Sequence, residues 1–342
     1  MKALVKFAKG PGNVELLDIE EPTCGPDQVK LEVAWCGVCG TDLHVVHDTF
    51  RNFPPVVLGH EIAASIVETG KNVTDLRTGD RYCVLGATAV TCGRCVYCRH
   101  GQFMFCAERR GMGHGVNGAF TRFVVVRPDQ LFPLSADFPM EEGAVCEPFA
   151  AAVHAVCDLT PLRFGDVVLI SGPGPMGLLC LKLLVAAGFK TIVAGTDADG
   201  VRIALAKQMG ADSVINVTRE DFQARIKDET EGLGVDVAFE CAGASASVKN
   251  CFNALRPLGH FTQVGHFGKD IPTPFDSTAF KQIHVAGSVG YTVETWIRML
   301  KILDRGKIRL GDLISHKLPL EEWKAGFAAC EDRSALKVLL HP

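Results

Sequence analysis

Four cysteines lie close together in the stretch "CGRCVYCRHGQFMFC", where they could bind a metal ion. Cys92, Cys95 and Cys98 are each separated by two residues, and Cys106 follows after seven. This spacing lets a tight turn bring the four sulfurs onto a tetrahedral Zn²⁺ at about 2.3 Å. The bacterial iron–sulfur signature differs, because its fourth cysteine follows after three residues and precedes a proline. Since a Cys₄ site leaves zinc no open position, we predict a structural zinc here and the chemistry elsewhere.

Two further motifs, "WCGVCGTDLH" and "VVLGHEIAA", carry the residue types of a catalytic metal site. They contain thiol, hydroxyl, carboxylate and imidazole groups, on Cys39, Thr41, Asp42, His44, His60 and Glu61. One thiolate and one imidazole with nearby carboxylates suit a catalytic zinc, which keeps one coordination position open for the substrate. We therefore expect metal-assisted chemistry at this pair of motifs.

A glycine motif, "GPGPMG", is typical of dinucleotide binding. It follows an apolar strand, precedes a helix, and contains Gly172, Gly174, Pro175, Met176 and Gly177. Its glycines permit a tight turn, a close approach of the backbone to pyrophosphate, and close packing of helix on strand. Asp197 lies twenty residues beyond the last glycine and would accept hydrogen bonds from the adenosine ribose, which favours NAD over NADP. Arg202 would either stack near the adenine or be an ordinary exposed helical arginine.

The pattern of elements divides the chain in two. Up to about residue 145, short alternating segments such as "QVKLEVAW" and "TRFVVVRP" are broken by Gly, Pro and Asp, which indicates a β-rich domain. From "DVVLISGPGPMG" onward, apolar strands alternate with helices, which predicts a parallel sheet covered on both faces. A length of 342 residues also favours two domains.

Composition excludes several classes of function. A net charge of −4 with 22% charged residues is not that of a nucleic-acid or polybasic membrane binder. The N-terminal segment lacks the apolar core of a signal peptide, and clustered thiols suit a reducing compartment, so we expect a cytoplasmic protein.

Scattered cysteines are interpreted as small buried apolar residues, among them Cys157, Cys180, Cys251 and Cys330. Arginines in and beside the four-cysteine stretch are interpreted as a solvated surface: Arg94, Arg99, Arg109 and Arg110.

Several motifs follow one another in an order that resembles a known family. They are "CGVCGTDLH", "LGHE", "GDRY", the four-cysteine stretch, "EEGAVCEPFAAAVHA", "GPGPMG" and "ECAG". Together they resemble the zinc-containing medium-chain alcohol dehydrogenases, and most of all the sorbitol, polyol and threonine dehydrogenase branch. The resemblance implies an α/β protein with a GroES-like β-barrel catalytic domain over residues 1–148. It further implies a Rossmann domain with a doubly wound parallel sheet over residues 149–288 and a return to the catalytic domain over residues 289–342.

The same resemblance assigns ligands to the catalytic zinc. Cys39 matches the family's thiolate ligand, His60 its imidazole ligand, and Glu61 a carboxylate that binds directly or through water. Glu147, in "CEPF", matches a position that polyol dehydrogenases fill with glutamate and classical alcohol dehydrogenases with cysteine. An oxygen ligand in place of sulfur makes the zinc harder, which favours polyhydroxylated substrates. Asp42 matches a carboxylate that orients the ligand histidine, although a helix cap would explain it too.

The family's activity then becomes the leading hypothesis. It is NAD-dependent oxidation of a secondary alcohol of a polyol or sugar-derived substrate to the ketone. The proton would leave through the Thr41 hydroxyl, the nicotinamide ribose and His44. Two zinc ions per chain and a homo-oligomer, more often a tetramer than a dimer, are also implied. No nucleic-acid or membrane partner is expected.

The substrate stays open at this point. Sorbitol dehydrogenases typically carry Arg-Tyr where this chain has Gly290 and Tyr291. The alternatives are L-threonine 3-dehydrogenase, another secondary-alcohol or cyclitol dehydrogenase, and a nucleotide- or zinc-binding protein without catalysis. Phe50, Phe53 and Phe120 would line the substrate pocket or belong to the core.

Overall fold

The computed structural model describes residues 1–342 and separates into two compact units. Unit 1 comprises Met1–Glu147, Thr292–Ile297 and Arg309–Pro342, and unit 2 comprises Pro148–Tyr291 and Arg298–Ile308. No helix combines the length and the apolar character needed to cross a membrane.

The chain contains strands and helices in the following order. The strands are β1 Lys2–Lys6, β2 Val14–Asp18, β3 Val29–Gly37, β4 Val56–Val57, β5 Glu61–Thr69, β6 Arg81–Val84, β7 Phe123–Val126, β8 Leu131–Pro133, β9 Val167–Ser171, β10 Lys190–Gly195, β11 Ser213–Asn216, β12 Val235–Glu240, β13 Leu255–Gln263, β14 His284–Gly287, β15 Ile314–Pro319 and β16 Lys337–His341. The helices are α1 Gly40–Val46, α2 Val96–Arg99, α3 Met140–Gly143, α4 Cys146–Val153, α5 Pro175–Ala186, α6 Gly200–Gln208, α7 Phe222–Glu229, α8 Ser245–Ala254, α9 Asp276–Phe280, α10 Val293–Asp304 and α11 Trp323–Glu331.

Unit 1 is built on two sheets. The larger has seven strands in the order β15-β16-β3-β5-β6-β8, with β7 also paired to β3, and the smaller has the order β2-β1-β4. The long strands β3 and β5 pair antiparallel, and their inward residues, such as Leu31 and Ile62, are buried. The last strand of the chain, β16, pairs with β3 near the start of the chain. Unit 1 is therefore completed by residues from both ends of the sequence.

Unit 2 contains a six-stranded sheet in the order β11-β10-β9-β12-β13-β14, and every neighbouring pair is parallel. Strand β9 is an apolar run whose last four residues are buried, as expected for a strand covered on both faces. The predicted fold class, a β-rich domain with a doubly wound parallel sheet, is confirmed.

The turn from β9 into α5 requires glycine at two positions. Gly172 has φ +104°, a left-handed conformation, and a Cβ there would collide with Ala242. A Cβ on Gly177 would collide with the Gly172 carbonyl oxygen, so this glycine allows the helix to pack against the turn. Pro175 occupies the first turn of α5, where a missing N–H costs nothing.

One prediction about the scattered cysteines is wrong. Cys180 and Cys251 are buried as expected, but Cys157 is exposed and Cys330 is only half-buried. Cys157 lies in the π-helical turn His154–Asp158 after α4, which turns it outward at the end of an otherwise apolar helix.

Candidate active site and metal centres

Helix α1 begins at the first of the predicted ligands. Cys39 is its N-cap, with extended backbone angles, and the Cys39 N–H donates to Asp42 Oδ2 at 2.9 Å. This hydrogen bond satisfies one of the free N–H groups at the helix start. Asp42 is 1% exposed, so its carboxylate is a buried anchor for the Cys39 backbone.

The same carboxylate reaches the second motif. Asp42 Oδ1 accepts the Gly59 N–H at 3.2 Å and lies 3.6 Å from His60 Nδ1. Asp42 therefore fits both interpretations made from the sequence. It caps α1, and its carboxylate lies beside the His60 imidazole. Glu61 is the first residue of β5 and is fully buried.

Three predicted ligands come together in unit 1. The ligand atoms of Cys39, His60 and Glu61 all lie within 4.8 Å of one another. His60 Nδ1 is buried and faces the Asp42 carboxylate at 3.6 Å, beyond hydrogen-bond distance. A thiolate, an imidazole and a carboxylate at these separations fit Zn²⁺.

The charges at this group attract a cation. Burial alone would lower the pKa of His60, but the Asp42 carboxylate and the Cys39 thiolate outweigh it and raise that pKa well above its usual value. Burial raises the pKa of Glu61 to about 7, with Lys337 opposing and the negative charge of Glu147 adding to the rise. The same negative field that draws a proton to these groups also favours a divalent cation in its place.

Lys337, in β16, is a residue at the site that the sequence analysis missed. Its Nζ donates to Glu61 Oε1 at 2.7 Å, to Glu61 Oε2 at 2.8 Å and to the Val38 carbonyl at 3.1 Å. Both side chains are almost completely buried, at 5% and 0% exposure. A lysine inside the apolar run "ALKVLLH" was the available signal, since a buried lysine requires a partner.

Three other predicted site residues, Glu147, Thr41 and His44, lie outside the group of Cys39, His60 and Glu61. Glu147, in the first turn of α4, is not a member of the group of three, although its charge reaches Glu61. Thr41 and His44 lie one helical turn apart on α1, which places them on the same face. His44 is exposed, and its Nδ1 lies 3.0 Å from Thr49 Oγ1.

The four cysteines of the stretch "CGRCVYCRHGQFMFC" form a second group, with all four sulfurs within 4.8 Å of one another. Backbone N–H groups point at the sulfurs, and the Cys95 N–H to Cys92 Sγ and Cys98 N–H to Cys95 Sγ distances are both 3.4 Å. The Cys92 and Cys98 sulfurs lie 3.9 Å apart, too far for a disulfide. Hydrogen bonds from backbone N–H groups lower the pKa of Cys92 to about 6, as a metal-binding thiolate requires.

In unit 2, Asp197 follows β10 and has its own partners. Its Oδ1 accepts from Asn216 Nδ2 at 2.8 Å and from Arg219 Nε, and these contacts hold the pKa of Asp197 below its usual value. The Thr218 side chain adds a further hydrogen bond to this carboxylate. Arg219 was not anticipated from the sequence.

Three interpretations of single residues are settled by the structure. Arg202 is not an exposed helical arginine, because its side chain is 12% exposed and lies 3.9 Å from Asp199. Phe120 is fully buried and packs against Phe327 with ring centroids 6.0 Å apart, so it belongs to the core. Four arginines were interpreted as a solvated surface. One of them, Arg109, is half-buried and lines a cavity, which contradicts that interpretation.

Comparison with known proteins agrees with this geometry. Residues 25–136 match the alcohol dehydrogenase GroES-like domain, and residues 175–305 match the zinc-binding dehydrogenase domain. The chain belongs to the zinc-containing medium-chain alcohol dehydrogenases. It is thus an enzyme of this family, with zinc and a nicotinamide cofactor, and the predicted family is confirmed.

Individual members of the family resemble this chain over its full length. It is 36% identical to a sorbitol dehydrogenase of Halalkalibacterium halodurans, with 100% of this chain and 99% of the relative covered. It is 33% identical to a D-arabitol-phosphate dehydrogenase of Enterococcus avium (99% and 97% covered) and to an L-threonine 3-dehydrogenase of Pyrococcus horikoshii (93% and 91%). A zinc-binding dehydrogenase of Sinorhizobium meliloti bound to NADP has a TM-score of 0.89 at 30% identity (100% and 99%).

The buried Lys337–Glu61 pair generates a stability prediction. Lys337→Met should lower the free energy of unfolding by about 3–5 kcal/mol, because it leaves a buried carboxylate without its counter-charge. The double variant Lys337→Met/Glu61→Gln should recover a large part of this loss, since no charge is then left unpaired. Urea denaturation of the three proteins checks this, and equal losses in the single and the double variant would contradict it.

Proposed function

We propose that this protein is a zinc-dependent oxidoreductase that oxidises a secondary alcohol of a polyol or sugar-derived substrate to the ketone with NAD. The observation that carries the proposal is the group formed by Cys39, His60 and Glu61, whose ligand atoms lie within 4.8 Å of one another in a member of the zinc-containing family. The complete set of thiolate, imidazole and hydroxyl groups argues against a binding protein that has lost catalysis.

In this proposal Cys39 and His60 hold the catalytic zinc, and Glu147 supplies a third ligand. Cys39 and Glu147 then contribute two negative charges against the two positive charges of the metal, while Lys337 balances Glu61. Both Glu61 oxygens accept from Lys337, so Lys337 would balance the charge that Glu61 brings to the site as a ligand, bound directly or through water. Zinc at this position supplies a Lewis acid that makes an alcohol more acidic, and the nicotinamide supplies the hydride acceptor.

The proton of the alcohol leaves through residues of α1. Thr41 would accept it at its hydroxyl oxygen while its own proton passes to the nicotinamide ribose. His44, one turn further along the same helix face, would take the proton from the ribose to solvent at its exposed imidazole. Asp42 keeps the His60 ring in place from the other side, at 3.6 Å from its Nδ1.

The cofactor binds at the carboxyl ends of β9 and β10. Gly172, Gly174, Pro175, Met176 and Gly177 form the turn at the start of α5, where backbone N–H groups and the helix dipole favour pyrophosphate. Asp197 binds the adenosine ribose through Oδ2, while Asn216 and Arg219 hold Oδ1. Half-buried Arg202 completes the adenosine side of the site.

A second zinc is bound by Cys92, Cys95, Cys98 and Cys106, which gives two zinc ions per chain. The cytoplasm is the proposed location, because all fourteen cysteines are free and such thiols persist in a reducing compartment.

We further propose that the protein is a homo-oligomer, with a tetramer favoured, and that the edge strand β14 forms a contact between copies. Val285 in this strand is 50% exposed and Val289 beyond it is 44% exposed. An open strand edge with apolar side chains is a template for pairing with another chain. Light scattering should give a mass above one chain, and a Val285→Lys variant should lower that mass, whereas a monomeric wild-type protein would contradict the proposal.

The activity itself is tested with a substrate panel on one preparation whose zinc content is also measured. Sorbitol, xylitol, 2,3-butanediol and L-threonine are each supplied with NAD. Formation of NADH is followed by its absorbance at 340 nm. We expect turnover of the polyols and about two zinc ions per chain. Turnover of L-threonine alone would favour the threonine dehydrogenase alternative, and no turnover across the panel would refute the proposal.

Matched variants separate the two metal groups. Cys39→Ala and His60→Ala should abolish turnover, lower the zinc content by about one ion and leave the melting temperature nearly unchanged. Cys98→Ala should lower the melting temperature, because it opens a closed structural site. Equal loss of fold in both sets would contradict this division.

The Asp197 assignment predicts a change of cofactor preference. Asp197→Ser should raise the kcat/KM for NADP relative to NAD by about 10-fold or more, because Arg219 then stands without its counter-charge beside the ribose. Asp197→Ser/Arg219→Gln should lose most of this gain. An unchanged ratio in the single variant would show that Asp197 does not contact the ribose.

A further inference from the structure

Two arginines are held against one aromatic ring in unit 1. The Arg51 guanidinium carbon lies 4.9 Å from the centroid of the Phe53 ring, and the Arg110 guanidinium carbon lies 4.4 Å from it. The ring attracts each cation, but it also brings two like charges near each other. Neither guanidinium forms an ion pair with a carboxylate of the chain. The pair of charges is therefore uncompensated on a protein whose net charge is −4.

Both arginines open into the same cavity. It has a volume of about 430 Å³ and is lined by Arg51, Val90, Ala107, Glu108, Arg110 and Val116. Its volume lies in the range of small-molecule sites. The one carboxylate on its wall, Glu108, already pairs with Arg94 at 3.0 Å. The cavity consequently keeps an excess of positive charge.

A smaller cavity of about 190 Å³ continues from Arg51 and Ala107 towards Arg109 and His114. Arg109 is half-buried, and its Nη1 donates to the Ala87 carbonyl at 2.9 Å, which fixes the guanidinium in place. A guanidinium held by a backbone carbonyl is ordered before any ligand arrives, so less side-chain entropy is lost when one binds.

His114 connects these cavities with the catalytic group. Its carbonyl accepts the Phe53 N–H at 2.8 Å, and its ring packs against Phe50 with centroids 5.1 Å apart. Burial, with the charges of His60 and Arg109, lowers the pKa of His114 to about 4. Gly113, next to His114, packs against the backbone of Gly59, next to His60, because a Cβ on Gly113 would lie 3.0 Å from the Gly59 nitrogen. The wall that Arg51 and Arg109 share with His114 therefore adjoins the catalytic group.

We propose that Arg51, Arg109 and Arg110 form an anion-binding subsite that receives the phosphate ester of a phosphorylated polyol substrate. The inference rests on the proposed alcohol oxidation and names its substrate class. Guanidinium groups bind phosphate by paired N–H···O hydrogen bonds, and a dianion gains more from three such groups than a carboxylate does.

The experiment compares sorbitol, sorbitol 6-phosphate and D-gluconate as substrates of the zinc-loaded enzyme with NAD. The kcat/KM for sorbitol 6-phosphate should exceed that for sorbitol by about 10-fold or more, and raised salt should lower this ratio. Arg51→Gln/Arg110→Gln should lower the ratio by about 10-fold or more. Arg122→Gln is the matched control, because Arg122 lies 4.8 Å from the Phe123 ring but outside both cavities, and it should leave the ratio unchanged.

Binding is measured independently of turnover by calorimetry with sorbitol 6-phosphate on the wild-type protein and the same two variants. Loss of binding in Arg51→Gln/Arg110→Gln alone supports the subsite, even if the enzyme oxidises no alcohol and the proposed function fails. Wild-type protein that oxidises sorbitol at least as well as its phosphate refutes the subsite while the proposed function stands. A preference for D-gluconate over both would show that the anion is a carboxylate and overturn the phosphate assignment.

Discussion

A buried ammonium group is the constraint on which the metal-binding region depends. Lys337 Nζ donates to both oxygens of Glu61, and neither side chain has appreciable contact with solvent. Without this cation, Glu61 would add a third negative charge to a region that already contains Cys39 and Glu147. The pair lets a carboxylate lie beside Cys39 and His60 at low net charge. Gly37 makes room for it, because a Cβ there would collide with the Glu61 carboxylate.

The pair also explains why unit 1 is assembled from both ends of the chain. Glu61 and Lys337 are 276 residues apart in sequence, and they meet because β16 lies beside β3 in the seven-stranded sheet. Residues 1–147 alone would leave Glu61 buried without its partner. The return of the chain after residue 309 is thus an electrostatic requirement of the site as well as a topological feature.

Carboxylate charge is compensated by a buried ion pair in unit 1 and by an exposed ion pair in unit 2. The two pairs therefore differ in how strongly solvent and salt weaken them. The Lys337–Glu61 pair is buried, where salt screens little and loss of one partner is costly. The Asp197–Arg219 pair has side-chain exposures of 50% and 73%, so solvent weakens it. Arg219 neutralises part of the Asp197 charge. The charge at Asp197 therefore depends on two exposed side chains, whereas the charge at Glu61 depends on a buried pair.

The sequence alone determined what depends on local spacing. Cysteine intervals predicted the four-thiol group, the glycine motif predicted the turn into α5, and the change of period after about residue 145 predicted the parallel sheet, because each of these is encoded within a few consecutive residues. Tertiary structure decided the partnerships between distant residues. Lys337 with Glu61, Arg219 with Asp197, and Arg51 with Arg110 at the Phe53 ring have no local signature, since strand pairing and burial bring them together only in the folded chain. The exposure of Cys157 was unpredictable for the same reason, because burial is a property of packing and not of residue type.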